Sequence, residues 1–201
     1  NLLKSLGWKI QLFENKRTVK VSCNKKLKFL ASYSLVKTMR AGVLVLGPLL
    51  TKFNKAKVSL PGGCAIGTRP VDLHLFALKK LGVNIKIKNG YIFAEARQGL
   101  KGTKIKFPTI SVGATENAIL AAFGAKGKTV LLNCAIEPEI KDLISFLNKL
   151  GGRIKIKGRK VEINEKFSIR KKIKHKVIFD RIEAGTYLVA GALVGKKIVL
   201  K

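Results

Sequence analysis

The chain repeats one structural pattern along its length, and this repeat limits the folds open to it. In each copy a predicted helix ends in Leu-Gly and is followed by two short predicted strands, and the copies are about 70 residues apart. After each pair of strands come a connection, a more apolar helix and one further strand. A chain of this pattern is expected to fold as repeated α/β units. The segments made of a Leu-Gly helix and its two strands are 2–21, 73–94 and 143–163.

The two kinds of helix are expected to lie in different places. The Leu-Gly helix near residue 80 is amphipathic, with Leu75 and Leu78 on one side and Lys79 and Lys80 toward water. The second kind is apolar nearly all round, and such a helix belongs in the interior of a domain. Helices of the second kind are near 35–53, 114–125 and 183–194, and the strands after them are 56–60, 129–133 and 198–201.

The predicted strands alternate lysine with aliphatic residues. Residues 85–88 read Ile-Lys-Ile-Lys, and residues 154–157 read the same. A period of two is typical of a strand with one face in solvent. The sequence therefore predicts an α/β fold with the apolar helices at the centre, the sheets outside and approximate threefold repetition.

The composition is strongly basic, with 41 Lys and Arg against 11 Asp and Glu and a net charge of +30. Such a field attracts phosphorylated ligands or nucleic acid. Because most lysines follow the strand alternation, we favour solvated strand faces over a nucleic-acid surface. The 14 aromatic residues are few near the basic runs, which also argues against base stacking. The densest run, 170–176, is either an anion-binding patch or an exposed connection.

The sequence argues against several other classes of protein. Its three cysteines are odd in number and far apart, and its two histidines are about 100 residues apart, so we expect no disulfide framework and no metal site. Reduced thiols fit a cytoplasmic location. The most apolar run, 41–50, is too short to cross a membrane. The chain starts at Asn1 and not at methionine, so we expect its natural beginning to lie further upstream.

One connection stands apart from the scaffold: residues 61–74 read PGGCAIGTRPVDLH. Three glycines and two prolines surround a single thiol, Cys64, and Arg69 follows five residues later. A nearby guanidinium lowers the pKa of a thiol and binds phosphate or carboxylate. We expect Arg69 and Pro70 to open a helix with Asp72 in its first turn. These residues alone leave two interpretations of Cys64 open: a reactive thiol and an inert buried one.

The amino-acid sequence of this segment resembles that of the UDP-N-acetylglucosamine 1-carboxyvinyltransferase family. A cysteine loop of this kind is specific to that family. The similarity extends through nearly the whole chain. It implies an inside-out α/β barrel domain with pseudo-threefold symmetry, in which residues 1–201 form one domain without the start of its first repeat. The family's second domain would then be absent from this chain. The similar stretches are LVKTMRAGVLVLGPLL (35–50), the loop itself, SVGATEN (111–117), EPEI (137–140) and DRIEAGTYLVAGALVG (180–195).

The resemblance also implies a reaction. The enolpyruvyl group of phosphoenolpyruvate is transferred to the 3-hydroxyl of UDP-N-acetylglucosamine with release of phosphate, at the start of peptidoglycan synthesis and without a cofactor. Cys64 matches the catalytic cysteine, a general acid that the antibiotic fosfomycin alkylates. The family's lysine-asparagine pair would lie before Asn1, and its acidic base and a further arginine after Lys201. The residues that match substrate-binding positions are Arg40, Arg69, Pro70, Val71, Asp72, Leu73, Ser111, Val112 and Gly113.

Plainer interpretations remain beside these assignments. Ser111 has the pattern of a simple helix cap, Arg40 that of an exposed helix arginine, and His74 that of a packed helix histidine. Thr109 departs from the family, some of whose members carry lysine there. Two other functions stay open: a non-catalytic module that binds RNA or another polyanion, and a sibling transferase with a different acceptor.

Overall fold

The structure, a computed structural model, describes seven ranges: residues 1–13, 19–23, 26–37, 39–62, 71–165, 172–195 and 197–199. The helices are α1 Leu2–Ser5, α2 Tyr33–Val36, a 3₁₀ helix Arg40–Val45, α3 Leu46–Phe53, α4 Asp72–Lys80, α5 Val112–Ala122, α6 Pro138–Lys149 and α7 Arg181–Val194. The strands are β1 Trp8–Leu12, β2 Val19–Cys23, β3 Leu30–Ala31, β4 Lys55–Ser59, β5 Asn84–Lys88, β6 Tyr91–Glu95, β7 Lys104–Lys106, β8 Thr129–Leu132, β9 Arg153–Lys157 and β10 Lys160–Asn164.

Two units of this chain have the same topology, which confirms the repeat over this part of the sequence. Each contains a strand, an inner helical segment, a second strand, an outer helix and a hairpin. The first unit forms the four-stranded sheet β3-β4-β6-β5, and the second forms β7-β8-β10-β9. In both sheets the first two strands are parallel and the others pair antiparallel. Before them, α1 and the two-stranded sheet β1-β2 correspond to the last part of a further unit.

The inner helices form the centre of the fold, as their apolar composition predicts. α5 buries seven of its eleven residues, and α3 buries Leu46, Gly47, Leu49 and Leu50. The two helices pack directly on each other, and their backbones come close because Gly47 has no side chain. A Cβ at Gly47 would be 2.9 Å from the carbonyl oxygen of Asn117. The sheets lie outside this pair.

The outer helices are amphipathic, also as predicted. In α4, Leu75 and Leu78 are buried while Lys79 and Lys80 are exposed. Asp72 lies in its first turn and the two lysines in its last, where each charge suits the helix dipole. Gly82 follows with φ +92°, a conformation that stops the helix at little cost for glycine.

The lysines of the strands face outward, as the alternation predicts. In β9, Ile154 is buried while Lys155 and Lys157 are exposed. Lys160 of β10, and Lys128 just before β8, both pair with Glu162. Their hydrogen bonds lower the pKa of the Glu162 carboxyl to about 2. Lysine on these sheets is therefore part of an ordinary solvated face.

Lysine and aromatic side chains meet on the outer face of β4 and β6, where the ammonium group of Lys57 lies over two rings. Its Nζ is 4.9 Å from the ring centroid of Tyr91 and 4.9 Å from that of Phe93. Register explains the proximity, because Lys57 is opposite Phe93 in the antiparallel pair. Partners two strands apart in sequence cannot be recognised as neighbours from spacing alone.

The long helix predicted at 35–53 is divided into three parts. α2 ends at Val36, the 3₁₀ helix begins at Arg40, and α3 begins at Leu46. Pro48 lies in the first turn of α3, where a missing backbone N–H leaves no hydrogen bond unmade.

The predicted interior position of residues 183–194 is wrong. These residues belong to α7, which buries none of its residues; Leu193 is 82% exposed and Val189 is 62% exposed. The helix begins at the cap residue Asp180, and no strand follows it in residues 197–199. Apolar composition thus indicates that a helix favours burial, but it does not identify the surface that would bury the helix. Residues 200–201 of the predicted strand lie outside the described residues.

Candidate functional site

Two connections lead from parallel strands into the helices that define the candidate site. Residues 60–71 join β4 to α4, and residues 107–111 join β7 to α5. Ligands of open α/β sheets bind beyond the carboxyl ends of such strands, where helix amino ends converge. This is the place at which the sequence predicts substrate binding.

The first turns of α4 and α5 lie in contact. His74 in α4 approaches Gly113 in α5 so closely that a Cβ on Gly113 would be 3.1 Å from Cε1 of His74 and 3.3 Å from Nε2. The structure thereby brings together two segments that are about 40 residues apart in sequence, 71–73 and 111–113. Both carry residues that the sequence predicts to bind the nucleotide.

Ser111 is the N-cap of α5, and its Oγ accepts a hydrogen bond from the N–H of Ala114 at 3.3 Å. Its carbonyl accepts a bond from Oγ1 of Thr115, which in turn accepts one from the N–H of Ala135 at 3.1 Å. The capping interpretation is therefore correct. A capping hydroxyl still has its own proton to donate, so capping and anion binding are compatible.

The other predicted residues of these segments lie at the two helix starts. Val71 precedes α4 and is half-buried, Asp72 is exposed, and Leu73 packs at the edge of the core. Val112 begins α5 and also packs at the edge of the core. The first N–H groups of a helix have no partner within the helix, so two adjacent helix starts offer N–H groups to a ligand.

The structure describes the residues on either side of the cysteine loop. Gly62, at one end, lies against the connection after α2, where a Cβ would be 2.8 Å from the carbonyl oxygen of Lys37. Arg40 follows as the first residue of the 3₁₀ helix. Val71, at the other end, leads into α4. Cys64, Arg69 and Pro70 lie outside the described residues.

A buried polar cluster behind the site was missed by sequence analysis. Asn117 of α5 and His74 of α4 are both buried, and Asn117 Nδ2 lies 3.2 Å from His74 Nδ1. Asn117 also bonds the backbone N–H of Gly47 and the carbonyl of Val43. It thus connects the 3₁₀ helix, α3, α4 and α5. The available indication was an asparagine in a helix made mostly of small and apolar residues, since buried amides are hydrogen-bonded.

The second unit has a shorter connection at the place of the cysteine loop. Residues 133–137 join β8 to α6 and contain Cys134, which is fully buried. Burial raises the pKa of the Cys134 thiol to about 11. A thiol in that state is inert near neutral pH.

The acidic residues of the EPEI segment make an ion pair and a backbone hydrogen bond. Arg181 Nε donates to Glu139 Oε1 at 3.0 Å, and Glu137 accepts from the N–H of Ile136 at 2.7 Å. Burial, and then the negative charge of Glu139, raise the pKa of Glu116. Thr109, where the sequence departs from the family, is exposed two residues before the cap of α5.

Within the described ranges, no three His, Cys, Asp or Glu side chains are grouped so as to hold a metal ion. None of the helices in those ranges has the length and apolarity needed to cross a membrane.

Comparison with solved structures defines the class of fold. The enolpyruvyl transferase NikO from Streptomyces tendae superposes with a TM-score of 0.75 at 20% identity, over 94% of this chain and 45% of that chain. EPSP synthase from Acinetobacter baumannii superposes with a TM-score of 0.60 at 16% identity, over 84% of this chain and 38% of that one. The fold is that of the enolpyruvyl transferases.

Sequence comparison gives the family. The model of EPSP synthase, 3-phosphoshikimate 1-carboxyvinyltransferase, matches residues 1–201, and the chain belongs to this family. Among its relatives, UDP-N-acetylglucosamine 1-carboxyvinyltransferase of Pelagibacter ubique is 61% identical over 96% of this chain and 46% of its own length. The protein of the same name from Vesicomyosocius okutanii is 50% identical over 100% of this chain and 47% of its own length. The chain therefore spans about half the length of these relatives.

Proposed function

We propose that the complete protein transfers the enolpyruvyl group of phosphoenolpyruvate to the 3-hydroxyl of UDP-N-acetylglucosamine. This reaction would be the first committed step of peptidoglycan synthesis, in the cytoplasm. The observation that carries the proposal is the contact between the first turns of α4 and α5, which joins 71–73 to 111–113. The relatives named for this reaction support the choice of substrates.

The geometry suits a nucleoside diphosphate. Two adjacent helix starts present backbone N–H groups and the positive ends of their dipoles, which stabilise phosphate oxygens. Ser111 adds a hydroxyl at one start, and the absence of a side chain at Gly113 lets His74 of α4 pack against the first turn of α5. The net charge of +30 draws both anionic substrates toward the protein.

The loop supplies the chemistry in this proposal. The 3-hydroxyl oxygen attacks C2 of phosphoenolpyruvate while Cys64 gives a proton to the methylene carbon, C3, and another group removes the hydroxyl proton. Loss of a proton from C3 then expels phosphate and restores the double bond. Arg69 and Arg40 would balance negative charge on the donor and the nucleotide. The acceptor of the hydroxyl proton would come from the part of the protein outside this chain.

Fosfomycin tests this assignment of Cys64. The thiolate would open the epoxide, so that an S–C bond forms as a C–O bond breaks and the new alkoxide takes up a proton. We expect one adduct in the complete protein treated with fosfomycin and UDP-N-acetylglucosamine, located at Cys64 by peptide mass spectrometry. Cys134 should stay unmodified because its thiol is buried. An unmodified Cys64 in folded protein with the nucleotide sugar bound would contradict the proposal.

A further inference from the structure

Lysine and aromatic side chains alternate across the outer face of the first sheet, β3-β4-β6-β5. Lys57 of β4 lies opposite Phe93 of β6, and Phe93 lies opposite Lys86 of β5, so the three residues form one row across three strands. Tyr91 lies two residues before Phe93, about 7 Å along the same strand. Ile92, between the two rings, is fully buried, so both rings face away from the core.

The lysines of this face lie over aromatic rings and not beside carboxylates. Nζ of Lys57 is 4.9 Å from the ring centroids of both Tyr91 and Phe93, and Nζ of Lys55 is 4.5 Å from that of Phe29. The structure shows no ion pair between these two lysines and any acidic residue in its described ranges. A cation–π contact leaves the positive charge uncompensated, so this face attracts anions.

The rings are open to solvent. Phe93 is 38% exposed and Phe29 is 37% exposed, although such large apolar side chains gain much from burial. Glu95, the acidic residue of β6, already pairs with Arg97 at 3.0 Å. Exposed rings beside uncompensated cations suit a ligand that has both flat faces and negative charge, because its bases stack on the rings while its phosphates contact the ammonium groups.

The second sheet has the same topology but a different outer face, and so provides an internal comparison. Its strands, β7-β8-β10-β9, contain no aromatic residue. At the position of Phe93 it has Glu162, whose carboxylate pairs with two lysines. Lys155 lies opposite Glu162, as Lys86 lies opposite Phe93. Both faces are solvated and carry lysine, but only the first combines lysine with rings.

We propose that the outer face of the β3-β4-β6-β5 sheet binds single-stranded nucleic acid. Bases stack on Tyr91 and Phe93. The phosphates that join them contact Lys57 and Lys86. Because every base has a flat aromatic face, binding of this kind tolerates changes of sequence and weakens with salt. The opposite face of the sheet packs against the core, so this function is additional to the proposed enzymatic one and does not depend on it.

Binding is measured with the complete protein and a fluorescent oligouridine of about ten nucleotides, by anisotropy at several salt concentrations. Phe93→Leu keeps an exposed apolar side chain but removes the ring. We expect it to raise Kd about fivefold to a hundredfold, the effect of losing one base stack. Oligothymidine should behave in the same way, because it shares the phosphates and the flat bases. Inorganic polyphosphate has no bases, so Phe93→Leu should leave its Kd within about twofold of the parent value.

Lys86→Gln and Lys155→Gln form a matched pair of variants, because they make the same change at equivalent positions of β5 and β9. Both lysines are exposed, so we expect both variants to fold. Lys86→Gln should raise the oligouridine Kd and lower the slope of log Kd against log salt by about 0.7, the value for one phosphate contact with a single strand. Lys155→Gln should change neither. Equal effects of the two lysine variants, parent-like binding by Phe93→Leu, or no binding by the parent protein at about 0.15 M salt would overturn the proposal.

Discussion

Replacing Cys64 by alanine is expected to lower kcat of the complete protein by about 10²- to 10⁴-fold, the usual contribution of a positioned general acid. Alanine has no proton to give to the methylene carbon of phosphoenolpyruvate. Binding of UDP-N-acetylglucosamine should change little, because 71–73 and 111–113 form the nucleotide site in this account. Steady-state release of phosphate measures kcat, and calorimetry measures the nucleotide-sugar Kd.

The matched control is Cys134→Ala. Cys134 is buried in the connection that corresponds to the cysteine loop in the second unit, and burial raises the pKa of its thiol to about 11. Its replacement should leave kcat unchanged and lower the free energy of unfolding by about 1 kcal/mol, the cost of one lost buried group. Cys64→Ala with parent-like kcat would remove Cys64 from the mechanism.

Gly47→Ala is expected to lower the free energy of unfolding by about 3 kcal/mol, toward the upper end of the costs of overpacking. The new methyl group would be 2.8 Å from Oδ1 of Asn117 and 3.1 Å from the backbone nitrogen of Ala121. The nitrogen of Ala121 is a backbone atom and cannot rotate out of the way, so α3 and α5 would have to move apart. Urea unfolding followed by circular dichroism measures the loss.

Lys52→Ala places the same methyl side chain on the exposed face of the same helix. Because Lys52 points to solvent, we expect this variant to remain within about 0.5 kcal/mol of the parent protein. If Gly47→Ala were as stable as Lys52→Ala, the stability of the core would not depend on the close approach of α3 and α5 at Gly47.

Much of the fold can be predicted from the sequence because strands and helices have characteristic hydrophobic periodicities. The lysine alternation at 154–157 places the lysines of that hairpin in solvent, whereas at 85–88 Ile87 is exposed beside Lys86 and Lys88. The apolar helices at the centre follow from composition in the same way. These features are local, so neighbouring residues suffice to predict them.

The failures have a common physical cause, which is that partners distant in sequence are not encoded locally. α7 is about as apolar as α5, yet it is exposed. Composition indicates that a helix favours burial but does not specify the surface against which it packs. Likewise, no spacing rule pairs Lys57 with Phe93.

The candidate site likewise combines features that local sequence predicts with contacts between distant residues that it does not. The cysteine loop is recognised because its amino-acid sequence resembles that of a known family. The starts of α4 and α5 are predicted from the residue types that begin helices. The bonds of Asn117 to His74, Val43 and Gly47 connect residues about 40 to 70 positions apart. Only the structure brings these groups together and so identifies what supports the site.

The identity of the acceptor is the sharpest test of the proposed transferase function. The complete protein is incubated with phosphoenolpyruvate and either UDP-N-acetylglucosamine or 3-phosphoshikimate, and phosphate release is followed over time. We expect phosphate release that depends on UDP-N-acetylglucosamine and is absent with 3-phosphoshikimate. Release with 3-phosphoshikimate alone, or with neither acceptor, would contradict the proposed function.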